Sequence, residues 1–249
     1  MLMKLSRRWG GKAREQNWFA VAVDFVIVVV GVFLGIQAAN WNESRKERVE
    51  EHRYYAQILD DLQKDQETLK YAQKRAEDFD LAAEDTLRAM RTGLSPNVSP
   101  GRFAAQVHYA GFLYIPRASR RTYDELISTG NLGLLRDQKA KAAIVDYYAY
   151  FDDMRQWDEL LRMQQGRYWE MTAGVLPRAV LKAAIRMRHE PDVSAEEASQ
   201  ILGRLRGRVG ADNLLVSMAA HQERVRRDSE DMADLGRQVI AKLKPLTAT

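Results

Sequence analysis

One apolar stretch, DFVIVVVGVFLGIQAANWNE at residues 24–43, constrains this chain more than any other feature. The 22 residues from Trp18 to Ala39 would form about 33 Å of helix, which matches the roughly 30 Å hydrocarbon core of a bilayer. Thirteen of them are Val, Ile, Leu or Phe. Together these side chains favour insertion into a bilayer by roughly 4–8 kcal/mol.

The acid at Asp24 opposes insertion, but by less than the apolar residues favour it. An Asp at the centre of a span costs about 2.5–3.5 kcal/mol, and Asp24 lies about 7 Å from the centre, where the cost is smaller. The sequence therefore predicts a transmembrane helix over residues 17–39. Trp18 and Trp41 are the predicted interface anchors, because indole rings prefer the headgroup zone.

A cleaved signal peptide is the main alternative, because five basic residues precede the apolar stretch. Two observations favour a retained anchor instead. The stretch is longer than the roughly 7–15 apolar residues of a signal peptide, and no Ala-x-Ala site follows it. Ile36 and Gln37 occupy the positions before the Ala38–Ala39 pair.

The distribution of charge predicts orientation and argues against nucleic-acid binding. Residues 1–16 contain five of the 38 Lys and Arg and one of the 34 Asp and Glu, so the rest of the chain is neutral. The positive-inside rule then makes residues 1–16 a cytoplasmic tail and places everything after the span in the periplasm of a bacterial inner membrane. A neutral body lacks the basic face that nucleic acid requires, so the helix-turn-helix order of residues 122–140 indicates packed helices. The absence of Cys is compatible with an oxidising compartment.

Residues 40–91 contain no Pro or Gly and are predicted to continue the span as one long juxtamembrane helix. Apolar or small residues recur there at alternating spacings of three and four, which is the heptad period. We call them the seam: Tyr55, Ile58, Leu62, Leu69, Ala72, Ala76, Phe79, Ala83 and Met90. Asp65 and Thr86 interrupt it. The seam requires a partner, either later helices of the same chain or another copy.

The remainder, residues 92–249, is predicted to complete an all-α, bundle-like extramembrane domain, because no segment alternates with the period of a strand. Ser99 is predicted to cap a short helix that begins at Pro100. Thr122 and Ser194, each followed three residues later by Glu, are predicted to form capping boxes. Another helix is predicted from near Asp137 to about Gly174.

Within the span, small and polar residues suggest a contact with another helix. Gly31, Gly35 and Ala39 form a stripe of small residues that would allow a close helix approach. Asp24 and Gln37 are polar groups at membrane depth, where an unsatisfied group is costly. Asp24 would either hold a basic residue of a partner subunit or relay protons, or it would reach headgroups, water or the basic tail of its own chain. The predicted partners are therefore the lipid bilayer and a protein partner or second copy, through the span and the long helix.

No motif for catalysis, phosphate binding or metal binding is recognisable, so the sequence predicts neither an enzyme nor a cofactor. His221 and Asp228 lie seven residues apart on the apolar side of the last helix, and together with Asp65 they are a possible ligand site inside the bundle. Such residues are more often satisfied polar groups of a core.

Two stretches, GVFLGIQAANWNE and TYDELISTGNLGLLRD, resemble an uncharacterised family of bacterial membrane-anchored proteins that contain a domain of unknown function. In that family a span ends in Asn-Trp-Asn-Glu and a Thr-aromatic-x-x-Leu-x-x-Ser/Thr-Gly-x-Leu-x-Leu pattern follows. The matching residues are Asn40, Trp41, Asn42, Glu43, Thr122, Tyr123, Leu126, Thr129, Gly130, Leu132 and Leu134. The family tends to have Glu where this chain has Asp24. The resemblance covers roughly residues 17–150 and implies an anchor and a location, without an activity or cofactor.

The sequence thus favours a non-enzymatic, single-span inner-membrane protein whose periplasmic helical domain binds other proteins, as a scaffold or accessory subunit of a membrane complex. The first alternative is a periplasmic helical bundle that senses a small molecule and signals through a partner subunit. The second is an envelope enzyme whose site has no recognisable motif.

Overall fold

Helices account for all the regular structure in residues 12–186 and 190–247, which are the residues that the computed structural model describes, with side chains from Trp18 onward. The first helix, α1, runs without interruption over Lys12–Thr92. The later elements are α2 (Pro100–Tyr109), α3 (Arg121–Ser128), a 3-10 helix (Asn131–Leu134), α4 (Gln138–Arg155), α5 (Asp158–Thr172), α6 (Arg178–Ile185), α7 (Ala195–Arg206) and α8 (Ala211–Thr247). The predicted all-α fold is confirmed, and so is the predicted apolar N-terminal helix that continues into a long helix.

The chain divides into two compact units, Met1–Arg53 and Tyr54–Thr249. The first consists, where it is described, of the N-terminal part of α1. The second contains the rest of α1 and all later helices, and we call it the body. Most of the predicted basic tail, up to residue 11, lies outside the described residues.

The core of the body forms along the seam of α1. The largest group of buried side chains joins Tyr55, Ile58, Leu62 and Leu69 of α1 to residues of α3, α4 and α8. Three further groups continue along α1 and bury Ala76, Ala82, Ala83 and Ala89 against α2, α5, α6, α7 and α8. The seam is therefore covered by later helices of the same chain, which is the first of the two alternatives that the heptad spacing left open.

Several predicted helix ends are confirmed by their hydrogen bonds. Ser99 accepts from the Arg102 N–H at the start of α2, and Ser194 forms a full capping box with Glu197 at the start of α7. Gly130 ends α3 with a left-handed φ of 72°, a conformation that side chains with a Cβ disfavour.

The single helix predicted from Asp137 to about Gly174 is wrong, because the chain turns between α4 and α5 at Gln156 and Trp157. There the Trp157 N–H donates to the Met154 carbonyl in a tight turn. The turn allows α4 and α5 to pack in different parts of the core. Phe151 of α4 packs in the first group of buried side chains, whereas Leu161 of α5 packs with Ala76 and Val225.

Candidate functional site

The first candidate site is the apolar segment of α1, whose side chains are all exposed from Trp18 to Glu43. Phe25 is 68% exposed and Val29 is 48% exposed, although both are strongly apolar. By length and composition this is a helix that could cross a membrane, with a mean hydropathy of 2.8 over its most apolar window and none of that window buried. Soluble monomers rarely expose contiguous apolar surfaces beyond a few hundred Å². The segment therefore requires a covering, from lipid or from protein.

The small residues and the acid of this segment share one face of the helix. At about 100° per residue, Asp24, Gly31 and Gly35 fall within roughly 20° of one line along the helix, and Ala39 lies beside it. Gln37 points away from that face. A Cβ added at Gly31 or Gly35 would meet no atom within 4 Å, so the face is open. Trp18 and Trp41, at the two ends of the apolar segment, are 75% and 69% exposed.

The second candidate site is a pair of carboxylates inside the body, on the inward face of α1. Asp65 is fully buried. Its Oδ1 accepts from the Ser119 N–H at 2.7 Å, and its Oδ2 accepts from the Tyr147 hydroxyl at 2.9 Å. Burial raises the pKa of Asp65, and these hydrogen bonds only partly offset that effect. Asp65 therefore does not destabilise the seam as an unpaired charge would. Its hydrogen bonds connect both the segment that precedes α3 and helix α4 to α1.

Asp61, one helical turn earlier, holds the first residue of the TYDELIST motif. The Thr122 hydroxyl donates to Asp61 Oδ2 at 2.6 Å, and the Thr122 N–H donates to the same oxygen at 3.4 Å. The predicted capping box at Thr122 is therefore wrong. Helix α3 begins after Arg120 without a side-chain cap. The hydroxyl that would have capped α3 instead binds α1, 61 residues earlier in the sequence.

Other residues of the longer stretch TYDELISTGNLGLLRD also contact α1 and α4. The Tyr54 hydroxyl donates to Glu125 Oε1 and accepts from Asn131 Nδ2, both at 3.1 Å. The Tyr123 ring stacks on Tyr148 with ring centroids 4.3 Å apart. Together with Asp61 and Asp65, these contacts fix α3 and the 3-10 helix against the long helix. Both carboxylate oxygens of Asp65 and the Oδ2 atom of Asp61 accept hydrogen bonds from protein donors, so the arrangement supports a structural role.

Substituting Asn for Asp65 is expected to stabilise the protein at neutral pH. Asn keeps an oxygen for the Ser119 N–H and offers an N–H to the Tyr147 oxygen, while it removes a buried charge. Folding raises the pKa of Asp65. The contribution of protonated Asp65 to the unfolding free energy is therefore complete only below the pKa of this residue in the unfolded state, and it is lost as the pH rises through its pKa in the folded state. The gain in unfolding free energy should be on the order of 1 kcal/mol at pH 7.5 and should vanish near pH 4.

Chemical denaturation across pH 4–8 measures this effect. Asp60→Asn is the matched control: Asp60 is on the same helix, and its exposed side chain pairs with Lys64. The control should shift the unfolding free energy by less than about 0.5 kcal/mol. If Asp65→Asn lowered the unfolding free energy at pH 7.5, the hydrogen bonds of the ionised carboxylate would stabilise the fold by more than the burial of its charge destabilises it.

No hydrogen bond or ion pair joins His221, Asp228 and Asp65 in the described part of the chain. Asp228 pairs with Arg224 at 3.4 Å, and Asp65 is held by Ser119 and Tyr147. The Nδ1 atom of His221 is buried without a partner, and burial and the nearby Arg224 lower the pKa of His221. Across residues 12–186 and 190–247, no group of three or more His, Asp or Glu side chains is placed to hold a metal ion.

A buried histidine that sequence reasoning did not single out lies in the aromatic part of the core. His108 is 3% exposed, and neither ring nitrogen has a hydrogen-bond partner. Phe112 and Trp169 pack on it with ring centroids 4.9 and 5.0 Å away. Burial lowers the pKa of His108, which keeps the ring neutral near pH 7. In the sequence, the only signal of this burial is that His108 lies among the apolar residues of α2.

Comparison with protein-family models, curated proteins and solved structures gave no match to this chain.

Proposed function

We propose that this chain is a single-pass protein of the bacterial inner membrane, with its N-terminal tail in the cytoplasm and its helical body in the periplasm. There it acts as a scaffold or accessory subunit of a membrane complex. The observation that carries the proposal is the apolar segment of α1, whose large apolar side chains are all exposed. The basic tail and the neutral remainder support the orientation. The resemblance to the membrane-anchored bacterial family supports the same location.

Fractionation of cells that produce the full chain tests the anchoring. The chain should sediment with membranes, remain there in high salt and alkaline carbonate, and be released by mild detergent. Release by carbonate alone would show a peripheral attachment and would overturn the proposal.

The partner contact is proposed to use the open face of the span. Gly31 and Gly35 allow another helix to approach the backbone closely, and dispersion and close packing drive association in lipid. Asp24 lies on the same face, so a partner helix with a Lys or Arg at that depth would neutralise it. The seam of the body is buried within the chain itself, which leaves the span and the outer surfaces of the helices for a partner.

The double substitution Gly31→Leu, Gly35→Leu is therefore expected to release the partner while the chain stays in the membrane. Two Leu side chains would separate the helices by several ångströms, so recovery of a stoichiometric partner after mild-detergent purification should fall by at least about tenfold. Val26→Leu, Phe33→Leu, on the opposite face, is the matched control and should retain the partner. Equal recovery from both variants would exclude the glycine face as the contact.

A second candidate function is a ligand-sensing body that signals through a partner subunit. One observation favours it, namely a partly enclosed apolar cavity beside the end of α1.

A further inference from the structure

Two histidines of the body contain buried ring nitrogens that have no hydrogen-bond partner among the described residues. His108 is 3% exposed, and both of its ring nitrogens are buried without a partner. His221 is half-buried, and its Nδ1 atom is buried without a partner. Buried polar atoms normally form hydrogen bonds, so each exception requires an explanation. Both histidines are connected to helix α5, one near each of its ends.

His108 packs against the C-terminal half of α5. The ring centroids of His108 and Trp169 are 5.0 Å apart, and Trp169 is itself half-buried. The neighbouring Tyr168 holds α5 to α2, because its hydroxyl donates to the Val107 carbonyl at 2.6 Å. Loss of α5 from the body would therefore uncover the face of the imidazole that the Trp169 ring contacts.

His221 lies near the N-terminal end of α5. Trp157 is the residue that precedes this helix, and the guanidinium of Arg224 in α8 lies 4.0 Å from the centre of its ring. His221 is on α8 three residues before Arg224. A proton on His221 would place a second positive charge near this guanidinium, and the repulsion would disturb its contact with Trp157.

Among the described residues, no carboxylate compensates a proton on His108. Burial is the only cause that lowers the pKa of His108, so no charged group of a neighbouring element acts on the ring. The ionisable groups on the elements around it are Tyr109 on the same helix, Tyr168 on α5, and Arg75 on α1, which lies over the Phe79 ring. A protonated imidazole in this place would be a buried charge without a counter-charge, which is strongly destabilising.

The surroundings of His221 also disfavour a proton. Burial lowers the pKa of His221 most, and the charge of Arg224 lowers it further, whereas no group of α1, α4 or α5 contributes. Asp228, the carboxylate one turn further along α8, is paired with Arg224 at 3.4 Å. Tyr150 of α4 faces these two charges and stays neutral, because burial raises its pKa.

Helix α5 is held to the body by few buried side chains. Of its 15 residues, only Leu161 and Tyr168 are buried. Elements with few buried apolar contacts open at a lower free energy than the whole domain unfolds. A destabilisation that acts at both ends of α5 is therefore expected to release this helix before the rest of the body unfolds.

We propose that α5 is an acid-released element of the body, which protonation of His108 and His221 frees from α2 and α8, so that its apolar face becomes accessible. After release, water surrounds both imidazoles and each can take up a proton. The packed state is therefore fully favoured above about pH 6.5, the ordinary pKa of histidine, and this preference is lost as the pH falls toward the lower pKa values of the packed state. The release does not depend on the membrane anchor. Exposure of the body to an acidified medium rests on the proposed periplasmic location.

Hydrogen–deuterium exchange of the full chain in lipid nanodiscs, followed by mass spectrometry, measures the release. The protection of backbone amides is compared at pH 7.5 and pH 5.0 after correction for the pH dependence of the intrinsic exchange rate. Each histidine that is protonated only after release raises the equilibrium constant for release by up to about tenfold per pH unit below about 6.5. Protection of α5 should therefore fall at least about tenfold at pH 5.0, whereas protection of α7 should change less than about threefold.

Variants test whether the two histidines cause the release. His108→Phe combined with His221→Leu removes both sites of protonation, and its α5 protection at pH 5.0 should stay within about threefold of the value at pH 7.5. His108→Leu, combined with the same second change, gives a smaller apolar side chain, so that the result does not depend on the fit of the Phe ring. His52→Leu is the matched control, because His52 is exposed, and it should lose α5 protection as the unmodified chain does.

Three results would overturn the proposal. The first is α5 protection in the unmodified chain that does not fall at pH 5.0. The second is an equal fall in α7, which would show acid unfolding of the whole body. The third is a fall in α5 protection that persists in both double variants. Because the measurement uses the purified chain, each of these results leaves the proposed location of the body untouched.

Discussion

Arg at both positions 28 and 29 is expected to remove the full chain from the membrane fraction. Val28 and Val29 lie at the centre of the apolar segment, where each Arg costs about 2.5–3.5 kcal/mol of insertion free energy. The pair costs about 5–7 kcal/mol, which is comparable to the roughly 4–8 kcal/mol that the apolar residues supply. Asp24 adds to the cost, so little or no net preference for the bilayer remains.

The readout is the fraction of the chain that sediments with membranes after carbonate extraction. Val28→Leu, Val29→Leu is the matched control, because it changes the same two positions and slightly increases hydrophobicity, and it should sediment as the unmodified chain does. If the double Arg variant stayed in the carbonate-resistant fraction, a covering other than the bilayer would have to hold the segment.

Ala at position 111 is expected to cause a large loss of stability in the body through one added methyl group. A Cβ at Gly111 would lie 2.3 Å from Tyr168 Cδ1 and 2.7 Å from Cε1, far inside van der Waals contact. Tyr168 is fully buried, and its hydroxyl donates to the Val107 carbonyl at 2.6 Å. The ring cannot move away without losing that hydrogen bond. Overpacking of this kind costs about 3 kcal/mol or more of unfolding free energy.

Gly203→Ala is the matched control, and its expected change in unfolding free energy has the opposite sign. Gly203 is inside α7, and an added Cβ there would meet no atom within 4 Å. Ala in a helix interior is favoured over Gly by roughly 0.5–1 kcal/mol, so this variant should be slightly more stable. Denaturant titrations of both variants give the two values. A neutral Gly111→Ala would show that Tyr168 is free to repack.

The parts of the fold that could be predicted are those whose signal is local or periodic. The apolar segment is recognisable from composition alone, and the heptad spacing correctly identifies the inward face of α1, from Tyr55 to Ala83. Ser194 and Glu197 form the capping box that their spacing predicts. In each case the residues that produce the structure are within a few positions of each other.

The parts that could not be predicted depend on contacts distant in sequence. Thr122 and Glu125 have the spacing of a capping box, but Asp61 offers the Thr122 hydroxyl a stronger, charged acceptor. Asp65 interrupts the periodic pattern of the seam, yet Ser119 and Tyr147 supply its donors. The cavity beside α2 is a space left by packing, which no local pattern of residues specifies.

The central claim, that the apolar helix crosses the bilayer and leaves the body outside the cytoplasm, is tested most directly by labelling of single thiols in intact cells. Ser6→Cys and Ser128→Cys each give one thiol, before and after the apolar segment. With the outer membrane permeabilised and the inner membrane intact, an impermeant maleimide should label Cys at position 128 and leave position 6 unlabelled until the cells are lysed. Labelling of both thiols, of neither, or of position 6 alone before lysis would contradict the claim.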